Sequence, residues 1–172
     1  IPEWKVYFDG NFWEPSGKDR AGTEIRLDKQ FEWAGHHWII PAAYSCNKGL
    51  VLDFCMCTPA EDIREFMKKW DLSPENDSCL NFTQEQQLQI DLDNPLCLDI
   101  IPCLKLNGKT MQASHSCSAV FNPCLSDETN NELEAKWAVK HYELDISYGW
   151  MIFRAAFLWP DKRRPAIKSL SL

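Results

Sequence analysis

Apolar and polar residues alternate with a period of two along most of this chain, and that alternation predicts strands. Leu50 to Cys57 is apolar on both faces except at Asp53, a pattern suited to the middle of a sheet. Trp150 to Trp159 is a second such run, interrupted only by Arg154. Trp4, Val6 and Phe8 alternate with Lys5 and Tyr7. Asp9-Gly10 then marks a hairpin turn, and Phe12-Trp13 begins the return. Thr23 to Asp28 reads as another strand. Phe31 to Ile40 reads as a hairpin around Ala34-Gly35. Its register puts Phe31, Trp33, His36, Trp38 and Ile40 on one face, with Glu32 opposite His37 on the other.

The longest hairpin predicted by the pattern runs from Leu96 to Phe121, around Asn107-Gly108, a pair suited to a turn with two positive φ angles. That register pairs Leu106 with Lys109, Leu104 with Met111, Ile100 with His115 and Leu98 with Cys117. One face then carries Leu96, Leu98, Ile100, Pro102, Leu104, Met111, Ala113, His115, Cys117, Ala119 and Phe121. The opposite face is mostly polar and includes Asp99 and Cys103. The alternating segment from Ala166 to Leu172 suggests a strand cut short at the final residue.

Helical periodicity occurs in three places. Thr58-Pro59-Ala60-Glu61 has the form of a capping box, and Ile63, Phe66, Met67 and Trp70 follow at helical spacing. A shorter helix spans about 83–90, opened by Thr83 and Gln86. A third covers about 129–142, with Leu133, Trp137, Ala138 and Tyr142 as its apolar stripe. The fold expected is mainly β with added helices, of α+β class, in one domain spanning 1–172. Its core would be a largely antiparallel β-sandwich, or a single curved sheet, with about three helices packed outside.

Composition narrows the functions. A net charge of −7 argues against nucleic acid as a partner, and no apolar run is long enough for a membrane span. The basic cluster Lys162, Arg163, Arg164 and Lys168 reads as a solvated loop. Most of the eight cysteines lie in apolar strands, without a Cys-x-x-Cys, which favours reduced thiols and a cytoplasmic setting. No signal peptide is visible, though a chain starting at Ile1 would not show one already removed. Asn81-Phe82-Thr83 matches a glycosylation sequon of a kind that arises often by chance.

Candidate chemistry is sparse, and no cofactor is expected. His115, Cys117 and Cys124 form the best metal-ligand pattern, but the hairpin turns Cys103, a fourth ligand, to the other face. A histidine hydrogen-bonded to backbone is the simpler reading of His115. A Cys–His pair such as Cys46 with His36 or His37 has no spacing to single it out. Asp53 and Arg154 are charges inside apolar strands, and a buried charge persists only when paired. They are expected to pair with each other, with Asp99 as the competing carboxylate. The same residues supply a hydrolase reading, in which Asp53 and Asp99 act as acid and base and Arg154 lies between them. The eight tryptophans suggest binding instead. Trp4 and Trp13 are the candidates for an exposed platform, and Glu32 with His37 for a polar contact. The function expected is a non-catalytic domain that binds protein or carbohydrate. The alternatives are the hydrolase and a structural or assembly segment of a larger protein.

Overall fold

The computed structural model describes residues 3–10, 12, 20–72, 82–125, 131–161 and 163–172. Its main sheet has five strands in the order β1-β2-β3-β7-β6, every neighbour antiparallel. These are β1 (Thr23–Trp33), β2 (His36–Ser45), β3 (Gly49–Thr58), β6 (Gln112–Phe121) and β7 (Gly149–Leu158). A second, smaller sheet joins β4 (Lys105–Leu106), β5 (Lys109–Thr110) and β8 (Leu170–Ser171). Three helices complete the described residues: α1 (Ala60–Lys69), α2 (Gln84–Asp93) and α3 (Leu133–His141). The expected antiparallel α+β class is what the chain adopts.

Apolar β3 sits at the centre of the main sheet, as its two-sided pattern predicts. It pairs with β7 without interruption from Gly49↔Leu158 to Thr58↔Gly149. Gly49 is required there, because a Cβ would collide with the Phe157 carbonyl. The β1–β2 hairpin has the predicted register, with Phe31↔Trp38, Glu32↔His37 and Trp33↔His36. Ala34 (φ 52°) and Gly35 (φ 76°) both take left-handed conformations, as a tight two-residue turn demands.

Each face of the sheet carries its own core. On the first, Val51, Cys55, Ile152 and Ala156 pack beneath Val6, Phe8 and the α3 residues Ala135, Ala138 and Val139. On the second, Leu50, Leu52, Phe54 and Met56 pack with Leu104, Leu106, Met111 and Phe157. Alternation along β3 sends its odd residues to one core and its even residues to the other.

The long 96–121 hairpin does not form. Only its tip survives, with Leu106↔Lys109, Lys105↔Thr110 and the Met111 amide donating to the Leu104 carbonyl at 2.8 Å. Asn107 (φ 52°) and Gly108 (φ 80°) make the predicted turn. Beyond the tip the two runs part. The second becomes β6 and pairs with β7, setting Cys117 opposite Arg154 and His115 opposite Ala156 in place of Leu98 and Ile100. Two forces favour this. Pro102 has no N–H to give a ladder, and β7 would otherwise leave a long row of backbone groups unpaired. The first run still alternates: Leu96, Leu104 and Leu106 are buried, while Cys97, Asp99, Cys103 and Lys105 are exposed. Its apolar face covers the second core, whereas Cys117, Ala119 and Phe121 of β6 serve the first.

Local corrections have similar causes. The α1 helix starts where predicted, but Thr58 does not cap it; its hydroxyl donates to the Pro95 carbonyl at 3.0 Å. Thr83 and Gln86 do form a full capping box on α2, which runs to Asp93. The buried face of α3 is Ala135, Ala138, Val139 and Tyr142, while Leu133 is exposed. The segment from Trp4 to Phe8 alternates in burial as predicted but pairs with no strand of either sheet. Trp13, Cys79 and the sequon's Asn81 lie outside the described residues.

Candidate functional site

Three places bring chemistry-bearing side chains together, and the first is inside the protein. Asp53 and Arg154 are register partners on β3 and β7, 0% and 4% exposed. Arg154 Nε donates to Asp53 Oδ1 at 2.7 Å and Nη2 to Oδ2 at 2.9 Å, a forked pair. The Tyr142 hydroxyl, just after α3, donates to Asp53 Oδ2. That uses Tyr142's only proton, so Tyr44 must donate across the 2.6 Å contact between the two hydroxyls. Trp4 Nε1 donates in turn to Tyr44 Oη at 2.9 Å. The guanidinium lies 4.6 Å from the ring of Phe12 and 5.3 Å from that of Trp4.

This relay ends on a carboxylate already bound at both oxygens. Burial, then the Asp53 charge, pushes both tyrosine hydroxyls well above their ordinary range. Burial opposes the Arg154 charge, but Asp53 outweighs it and raises the guanidinium further. Both tyrosine hydroxyls are thus held protonated, and Asp53, Arg154, Tyr44 and Tyr142 are all buried. That is the chemistry of a structural pin, and it offers a substrate no approach. Asp99 is exposed on the segment that covers the opposite face, so the structure does not bring it to Asp53. Trp4, stacked 4.5 Å from His141, is committed to this network and is no open platform.

The second place is a polar cleft of about 510 Å³ on the same face, lined by Asp28, His37, Cys57, Tyr142, Asp145 and neighbours. Here the register sets Glu32, His37 and Cys57 side by side on three successive strands. That composition is familiar from thiol nucleophiles, but the geometry is wrong for one. His37 Nδ1 contacts Glu32 at 2.6 Å and Nε2 contacts Gln30 at 3.2 Å, leaving no ring nitrogen for the thiol. Burial, helped by Asp145 and Glu32, pushes the Cys57 thiol up to about 11.

The remaining sequence candidates scatter. His115 Nε2 contacts the Phe8 carbonyl at 2.7 Å, a backbone anchor. Cys117 packs half-buried in the first core, and Cys124 Sγ donates to the Ala60 carbonyl at 3.5 Å. Among the described residues no three His, Cys, Asp or Glu side chains gather as metal ligands would. Cys46 is buried and its thiol faces the Tyr44 carbonyl. The seven described cysteines are free thiols.

The third place is an apolar cleft of about 820 Å³ on the second face. Its floor is Trp38, Ile40, Leu52 and Phe54. One wall is the 100–104 segment and another the 167–172 segment. Phe31 stacks on Trp38 with centroids 6.2 Å apart, and Trp33 closes in at 5.9 Å. Trp38 Nε1 donates to the Trp33 carbonyl at 3.0 Å, which fixes the floor. The sequence placed these aromatics on one face correctly but gave no sign that the face stays partly open. That opening depends on how two distant extended segments are laid over it.

No protein-family model matches this chain, and no curated protein or solved structure does either. Among the described residues no helix is long and apolar enough to cross a membrane.

Proposed function

We propose that this chain is a non-catalytic binding domain whose site is the apolar cleft on the second face. The observation that carries the reading is its size and lining: about 820 Å³ bounded mainly by aliphatic and aromatic side chains. Ligand pockets are about 300–1,000 Å³ and are mostly apolar. An apolar small molecule suits that lining better than a sugar. Of the two tryptophans put forward for sugar stacking, Trp4 is tied into the buried network, and Trp13 lies outside the described residues. The hydrolase alternative gains no support from an exposed Asp99 and an enclosed Asp53.

A protein partner is the second reading. Ile101, Trp33 and Leu172 are 90%, 54% and 61% exposed, and all three border the cleft.

Titration with the uncharged fluorophore N-phenyl-1-naphthylamine separates the readings. The small-molecule reading expects saturable enhancement at one probe per chain. Phe31→Ala and Trp33→Ala should each weaken it roughly three- to tenfold. His37→Gln, in the polar cleft, should leave it unchanged. Absent or unsaturable enhancement, with the fold intact by circular dichroism, would reject the small molecule.

A further inference from the structure

We propose that the ligand of the apolar cleft is an anionic amphiphile, a long-chain carboxylate whose tail fills the cleft and whose head meets Lys29 and Lys168. This rests on the cleft being the binding site. Among the described residues Lys29 and Lys168 carry the only charged side chains that line it, in a chain whose net charge is −7. They come from different walls, Lys29 from β1 and Lys168 from the segment leading to β8. The ion pairs found among the described residues use neither.

The placement of Lys29 comes from an irregularity in the strand. The β1–β2 register shifts between Arg26 and Lys29. Leu27 and Lys29 consequently face the apolar cleft, whereas Asp28, with φ of 48°, faces the polar one. The bulge therefore sorts the charges: the cation goes to the greasy side and the anion away from it. A long lysine stem lies comfortably along apolar surface while its ammonium stays in water at the mouth. Together, an apolar lining and two lysine side chains, with no Asp or Glu side chain among the described lining residues, match a molecule with one greasy end and one negative end. A neutral lipid would leave both ammonium groups unused, and a cationic one would be repelled.

Displacement of the bound neutral fluorophore by dodecanoate and by dodecanol tests this. Dodecanoate is expected to displace at roughly fivefold lower concentration, the scale of two exposed ion pairs. That preference should shrink in 1 M salt, where screening reaches about 3 Å. Lys29→Gln with Lys168→Gln should abolish the preference, so that dodecanoate and dodecanol displace the fluorophore at equal concentration. Equal displacement by the two compounds, or a preference that survives the double substitution, overturns the anionic head. Failure of the fluorophore to bind at all overturns the cleft reading beneath it. A chain that sediments as a dimer and takes up fluorophore only on dilution places a second copy in the cleft and overturns the proposal as well.

Discussion

Removing either member of the Asp53–Arg154 pair leaves the other charge buried with nothing to balance it. Asp53→Asn or Arg154→Met should each cost about 3–5 kcal/mol in urea unfolding. Asp53→Leu combined with Arg154→Met should recover most of that loss, because the apolar pair strands no charge. Additive costs would show that the pair does not act as a unit. Tyr44 and Tyr142 make a second prediction. Their hydroxyls stay protonated in the fold far above pH 10. The unfolded chain releases those protons near pH 10, so above that pH it binds fewer protons than the native state. Stability is therefore complete below about pH 10 and falls as pH rises beyond it. Absorbance at 295 nm should report their ionisation only together with loss of far-ultraviolet circular dichroism. Ionisation that precedes unfolding would mean the hydroxyls are not held as described.

Among the elements, the turns are where one residue decides most. Ala34 is held at φ 52°, a conformation that costs a β-carbon roughly 1–2 kcal/mol. Ala34→Asn should raise the melting temperature by about 2–4 °C, since asparagine tolerates that geometry. Asn107 does more than turn the chain. Its Oδ1 accepts from the Lys168 and Ser169 amides at 2.8 and 3.0 Å, and its Nδ2 donates to the Ala166 carbonyl at 2.9 Å. Asn107→Gly keeps the turn and removes the clamp. Hydrogen exchange at Lys168 and Ser169 should then quicken while β3 and β7 are untouched. The same contrast marks what the sequence could reveal. Short-range signals were legible: the Ala34-Gly35 register, the Asn107-Gly108 turn, the central place of β3, the α1 start. Partners chosen by competition were not. The pattern of 96–121 fits a hairpin, yet β7 is a better partner for β6 than a run containing Pro102. The Asp53–Arg154 pair was legible because a charge in an apolar strand requires a partner; the tyrosines that join it were not, because tyrosine is at home in any half-buried site.

Across the whole molecule, the sheet divides two tasks between its faces. The first face ties its polar groups to one another, in the relay from Trp4 to Asp53, packs against α3 and the N-terminal segment, and carries the polar cleft. The second is covered by extended segments whose strands are only two residues long, and there a cleft stays open. Such lightly paired cover is also the part of a fold that adjusts most readily around a ligand. The division follows from strand alternation: odd residue Asp53 of β3 carries the charge, while even residues Leu50, Leu52, Phe54 and Met56 are apolar. Backbone and indole chemical shifts of the ¹⁵N-labelled protein, followed as N-phenyl-1-naphthylamine is added, test this most directly. Binding in the apolar cleft predicts saturable changes at Phe31, Trp33, Ile101 and Leu170, with Tyr142 and Asp145 unmoved. Changes centred on Cys57, Tyr142 and Asp145, or none that saturate, would contradict it.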